Sequence, residues 1–167
     1  MSQDFALKPI DEAYVAKAIE KAEHYRLLNW PEEAESICLD VLATDDDNQR
    51  AIGVLVLALS DLFSQPGASP RVKQAKAWVL KLTDAYQRTY LTGILHEREG
   101  RAHLARGFHG SFAYECFRDA MHWYEKAEAI QPAGNQEAVL RYNSCVRTIE
   151  REKLTPRGDE GPESMLE

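Results

Sequence analysis

The stretch that most restricts what this chain can fold into is DAMHWYEKAEAIQPAGNQE, Asp119 to Glu137. Ala120, Tyr124 and Ala127 stand four and three residues apart, so a helix carries all of them on one face. Small residues at both ends of that face let a second helix approach closely, and the Tyr124 ring fills the space between them. Pro132 stops the helix, and Gly134-Asn135 reverses the chain.

The same offsets occur earlier. Ala34, Cys38 and Val41 repeat them, and Asp46, in the acidic turn TDDDN, stands where Pro132 stands. Ala22 precedes Ala34 by twelve residues. Small-aromatic-small-proline at this spacing resembles the second-helix half of a tetratricopeptide repeat, and twelve residues is that family's separation between the tight spots of its paired helices. The resemblance runs over residues 14–150 and is specific in 22–48 and 119–137. It implies an all-α fold of tetratricopeptide-like antiparallel helical hairpins in an α-α superhelix, with about seven helices and a capping C-terminal helix. Repeat one lacks the usual glycine and the closing proline. In the last repeat Gly93 takes the small-residue position, yet Ala120 follows it by twenty-seven residues instead of twelve.

That surplus predicts a hairpin extension. The segment EREGRAHLARGFHGSFAYE lengthens the first helix to about Arg106, turns at Gly107–Gly110 and starts the second helix at Ser111 or Phe112. The inserted part is about 99–114. The chain then divides into an N-terminal lead-in (1–10), a helical repeat domain (11–152) and a tail (153–167) whose richness in Pro, Gly and Glu predicts disorder. Asp11 is the expected N-cap of the first helix, and Glu32-Glu33 suit the start of the second. Gln49 to Phe63 is apolar almost all round and reads as the most buried helix. A strand over Val54–Leu57 is the alternative, set aside because no turn signal interrupts the run. Ser69 as N-cap, with Pro70 in the first helical position, opens the next helix. Asp84 and Gln87 are spaced as a capping box. From Asn135 to Glu152 a last helix turns Ala138, Val139, Tyr142, Val146 and Ile149 inward, as the end of a repeat array needs. Trp30, Trp78 and Trp123 are assigned to helix packing.

Charge and composition exclude several classes. A net charge of −7 disfavours a nucleic-acid binder, which needs a basic stripe, and an anionic membrane surface. The longest apolar run, Ala51–Leu59, is too short to span a bilayer, and the first residues lack a secretory pattern. Cys38, Cys116 and Cys145 are odd in number and set in helical patterns, so they read as buried thiols in a reducing, cytoplasmic setting. Arg157-Gly158-Asp159 matches an adhesion tripeptide by chance.

Three constellations bear on function. His96, Glu99 and His103 form one stripe, and Glu115, Asp119 and His122 another; facing helices of this kind can hold a divalent metal, but the spacings differ from Glu-x-x-His and a polar seam is the preferred reading. No phosphate loop, nucleophile elbow or CxxC pair appears, so no enzyme and no cofactor is expected. The third is a binding groove. In tetratricopeptide arrays the first helix of each repeat lines a concave surface that receives a peptide or partner helix. The matching helices here offer Glu23 and Arg26; Leu57 and Asp61; Tyr90, Glu97 and Arg98; and the last helix adds Arg141, Ser144 and Arg147. Those arginines can fork onto a partner's carboxylate or pair within the chain. The lysine/asparagine clamp for chaperone tails is missing from repeat one, where Ile19 and Glu23 stand. Phe108 and Phe112 sit at the Gly-flanked tip of the inserted hairpin, a place for docking or self-association. The expected function is a non-enzymatic module that binds a protein or peptide through the concave surface, the hairpin, or both. A secretion-type chaperone of three-repeat architecture and, further off, a metal-binding enzyme or sensor are the alternatives.

Overall fold

The structure, a computed structural model, describes residues 4–108 and 110–158. After a 3-10 turn at Glu12–Tyr14 come α1 (Val15–Leu27), α2 (Pro31–Thr44), α3 (Gln49–Asp61), α4 (Ser69–Val79), α5 (Ala85–Ala105), α6 (Ser111–Ala129) and α7 (Glu137–Arg151). No strand occurs among the described residues. None of the described helices is long and apolar enough to cross a membrane.

Each helix packs on the next as one arm of a hairpin, and the odd-numbered ones also touch, α1 with α3 and α3 with α5. The odd helices therefore form a layer of their own. Its centre is α3, which meets α1, α2, α4 and α5 and buries Ala51 through Val56 without interruption. A helix packed on most of its sides keeps only a narrow open stripe, here Arg50, Leu57 and Asp61, which is why its sequence is apolar almost all round.

Close approach is made by small residues, as the spacing predicts. Ala22, Ala34, Cys38 and Val41 have no exposed surface, and neither do Ala120, Tyr124 and Ala127. Gly93 lets α5 and α6 meet: a Cβ there would lie 2.6 Å from a ring carbon of Tyr124. Gly100 repeats the device further out, where a Cβ would lie 3.0 Å from the Phe117 ring and 3.2 Å from the Cβ of Cys116. The inserted hairpin is thus as tightly zipped as the repeat that carries it. Its arms end at Ala105 and begin again at Ser111, and Gly107 takes a φ of 78° between them. His109, within the expected tip, lies outside the described residues.

Several local expectations shift. Ser69 is already the first residue of α4; Ala68 stands at the cap, and no side chain caps that helix. Asp11 precedes the 3-10 turn without a side-chain cap bond. Asn48 does cap α3, accepting from the Ala51 N–H at 2.9 Å. Asp84 accepts from the Gln87 N–H at 2.7 Å, while the Gln87 amide lies against Gly53 rather than reaching back. Trp30 is a correction: it is 58% exposed and only its face on Tyr25, at 5.7 Å between ring centroids, is packed. It stands in the turn between α1 and α2, next to the left-handed Asn29 (φ 61°), and so belongs to neither packed helix face. Trp78 and Trp123 are partly buried and each carries a lysine ammonium over its ring, Lys81 and Lys126.

Beyond α7 the chain is still anchored. Lys153 takes a φ of 52°, the Leu154 N–H donates to the Ile149 carbonyl at 3.0 Å, and Leu154 is buried against the core. Residues 1–3 and 159–167, parts of the expected lead-in and tail, lie outside the described residues.

Candidate functional site

Of the expected groove residues, Glu23, Leu57, Asp61, Tyr90, Arg98 and Arg141 line hollows along one face of the odd-helix layer. Arg50, Gly53, Val54, Leu57, Ser60 and Asp61 follow one another on α3 at helical spacing; Gln87, Tyr90, Leu91, Arg98, Arg101 and Ala105 do so on α5. Residues so spaced share a stripe. Two hollows open along it, each about 350 Å³. They differ in charge.

The first hollow lies where α3 and α5 begin. Leu57, Val54, Leu91 and the Tyr86 and Tyr90 rings wall it, with Glu23 from α1 and Glu137 from α7 at its edge. Tyr86 and Tyr90 stack at 5.8 Å, and Tyr90 leans on Tyr124 at 5.9 Å. Burial pushes the Tyr90 hydroxyl up to about 12, so it stays a hydrogen-bond donor at any physiological pH. Arg50, which the sequence reading missed, closes a bidentate pair on Glu23 at 3.0 and 2.7 Å.

The second hollow lies at the other end, lined by Asp61, Phe63, Arg98, Arg101, Ala102 and Arg141 among others. Beneath it Glu97 is completely buried. Its carboxylate accepts from the Tyr124 hydroxyl at 2.6 Å, from Arg101 Nε at 2.8 Å and from both Nε and Nη2 of Arg141, so α5, α6 and α7 meet on one side chain. Burial pushes the Glu97 carboxyl up, but the Arg141 and Tyr124 hydrogen bonds and the arginine charges outweigh it and leave the acid below its ordinary range. For Arg141 burial works against the charge, and Glu97 more than restores it, holding the guanidinium ionised. Asp61, at the end of α3, accepts from Arg26 Nε at 2.8 Å and from Arg98 Nη1 at 2.8 Å.

Of the arginines proposed from the sequence, Arg26, Arg98 and Arg141 are therefore paired within the chain, one of the two roles left open for them. Glu97 is not on the surface at all; it is the acid that holds Arg101 and Arg141 in place. Arg101 had escaped the sequence reading, although its position four residues after Glu97 is an ion-pair spacing on a helix. Arg147 is exposed on α7, and Ser144 accepts from Arg101 Nη2 at 3.0 Å. The second hollow is lined by Arg98, Arg101 and Arg141 against Asp61, with Glu97 buried beneath, an excess of one positive charge; Arg26 pairs with Asp61 without lining it. Each guanidinium has five N–H donors, and these contacts engage three at most.

The hairpin tip is half open. Phe112 is 54% exposed and Phe108 62%, and both rest on His103, with centroids 4.2 and 5.9 Å away. Arg106 ties the hairpin to the α3–α4 loop by donating to the Phe63 carbonyl. The two His/carboxylate stripes do not converge. Glu99 is held by Lys76 at 2.7 Å, burial lowers the pKa values of His96 and His103, and Glu115, Asp119 and His122 face solvent. Among the described residues no three His, Cys, Asp or Glu are close enough to hold a metal ion. Cys38, Cys116 and Cys145 are free and buried, and burial pushes each thiol up to about 12. A thiol held so far from ionisation is a poor nucleophile.

No protein-family model, no curated protein and no solved structure matches the chain.

Proposed function

We propose that this protein is a non-enzymatic interaction module of tetratricopeptide-like design. It binds a peptide or partner protein along the face shared by α1, α3, α5 and α7, with the inserted hairpin as a second contact. The observation that carries the reading is the continuity of that face. An apolar, tyrosine-walled hollow and an arginine-lined one lie on the same stripes of α3 and α5. An extended segment laid along the helices meets both. Apolar side chains gain from the first, and the second offers guanidinium N–H groups to an acidic side chain. The burial of Ala22 and Ala34, twelve residues apart, and the close approach of Gly93 to Tyr124 support the tetratricopeptide likeness, from which the twenty-seven residues between Gly93 and Ala120 remain a departure. A cytoplasmic location is consistent with three unpaired thiols.

The test is capture from native lysate by the tagged protein, read by mass spectrometry, beside Leu57→Gln and the pair Phe108→Ser and Phe112→Ser. Leu57 lines the first hollow and is only partly buried, so its replacement should leave folding intact. The reading expects a partner that one of these variants loses while circular dichroism and melting temperature hold. A captured set that neither variant changes would end it.

A further inference from the structure

The arginine-lined hollow is out of keeping with the chain that builds it. The whole protein carries a net charge of −7, yet three guanidiniums, of Arg98, Arg101 and Arg141, line this hollow beside Asp61 and above the buried Glu97. They are not loose surface arginines. Glu97 and Asp61 hold Arg98, Arg101 and Arg141 in place, and these line a hollow of about 350 Å³ together with Phe63, Ala102 and Ala105. Such a site is organised for an anion beside an apolar group, because the cost of orienting the arginines has been met by folding.

The chain carries a matching segment. Residues 159–167 read DEGPESMLE: Asp159, Glu160, Glu163 and Glu167 with no basic residue, and Met165 and Leu166 as the apolar part. It is attached through the helix that carries Arg141. Leu154 is pinned beside Ile149 on α7, the helix that supplies Arg141. Eight residues of helix separate Ile149 from Arg141, about 12 Å. The thirteen residues from Thr155 to Glu167 span up to about 43 Å when extended. Reach is ample.

We propose that the acidic segment 159–167 is an intramolecular ligand of the arginine-lined hollow, so that the chain covers part of its own binding face. The inference rests on the reading of that face as a ligand site and adds a competitor to it. A partner must then displace the segment, and the partners best able to do so are themselves acidic with an apolar residue nearby. Tethering gives the segment a high effective concentration, so a weak contact suffices for occupancy. A second basic hollow, lined by Lys73, Lys76, His103, Arg106 and Phe112, provides the control. It lies between α4 and the hairpin and takes no residue from α7.

The experiment is fluorescence anisotropy with a labelled DEGPESMLE peptide and four proteins: the full chain, a chain ending at Gly158, that shortened chain with Arg98→Gln, and that shortened chain with Lys73→Gln. Arg98 is about one third exposed and leaves Asp61 paired with Arg26, so its replacement should fold. The expected result is binding to the shortened chain, roughly tenfold or more weaker binding to the full chain, loss with Arg98→Gln, no change with Lys73→Gln, and weakening as salt is raised. Neutralising Asp159, Glu160, Glu163 and Glu167 together in the full chain should restore peptide binding. Equal binding to the full and shortened chains, no binding to either, or loss with Lys73→Gln instead of Arg98→Gln would each overturn the proposal. None of those results would touch the wider reading, which the lysate capture and Leu57→Gln decide separately.

Discussion

Glu97 is the residue on which most of the last repeat depends. A buried carboxylate is unfavourable alone and tolerable only when its oxygens are satisfied, and here four donor groups from Tyr124, Arg101 and Arg141 satisfy them. Glu97→Gln should destabilise the protein by about 2–3 kcal/mol, below the ~3–5 kcal/mol typical of a broken buried pair because both arginines keep about a third of their surface in water. Urea denaturation at neutral pH measures this. The sign with pH follows from the direction of the shift. A carboxyl whose folded pKa is depressed stabilises above its ordinary value, here 4.5, and that contribution is lost as pH falls through the lower, folded value. The difference between wild type and Glu97→Gln should therefore shrink in acid below about pH 4.5; a gap independent of pH would mean the carboxylate charge contributes nothing. Gly93 makes the complementary argument from sterics. Gly93→Ala should cost ~1–3 kcal/mol by overpacking against Tyr124, despite alanine's better helix propensity. A thermal melt at or above wild type would show that the ring can move aside.

At the scale of elements the inserted hairpin is the departure from a plain array. Its arms are joined at Gly93 and again at Gly100, and Arg106 fastens it to the α3–α4 loop. The tip is less committed, with more than half of Phe108 and Phe112 in water. Replacing both with Ser should lower stability by only about 1 kcal/mol in all, because little of the ~1.5–3 kcal/mol of full burial is realised at either ring. For a chain of this size that is a fall of roughly 2–4 °C in melting temperature. Sedimentation velocity on the same variant tests the docking role: weakened self-association or weakened partner binding is expected. A large fall in melting temperature with association unchanged would return both rings to the core.

For the whole molecule the decisive element is α7. It covers the apolar face of α6 and supplies Arg141 to Glu97 and Ser144 to Arg101. Ending the chain after Pro132 should expose Tyr124 and Ala127 and leave Glu97 half-paired. The expected outcome is a broad, weakly cooperative melt with dye binding to exposed apolar surface, as for an array without its capping element. A sharp melt near the wild-type temperature would show that α1 to α6 form a self-sufficient unit. The layer of odd helices also explains how an acidic chain keeps a basic hollow. Residues far apart in sequence, Arg26, Arg98 and Arg141, are brought to the partly buried Asp61 and the buried Glu97 by the stacking of α1, α3, α5 and α7.

What the sequence determined by itself was local and periodic. Small-aromatic-small spacing placed the tight contacts at Ala22, Ala34, Gly93 and Ala120, and the continuous apolar run identified α3 as the central helix. The surplus between Gly93 and Ala120 located the hairpin, with its arms ending at Ala105 and Ser111. These features were legible because helix periodicity and close approach are imposed by residues a few positions apart. Caps were less so: Ala68, not Ser69, precedes α4, since the loop before it decides which residue leaves the helical conformation. Only the tertiary structure decided which charges face a partner and which face each other. In the sequence Glu97 looks like any surface acid on a charged stretch, HEREGR. It is buried because α6 and α7 converge on it with Tyr124 and Arg141, 27 and 44 residues away. Ion pairing at such separation depends on where whole helices stack, and no spacing along a single helix encodes that.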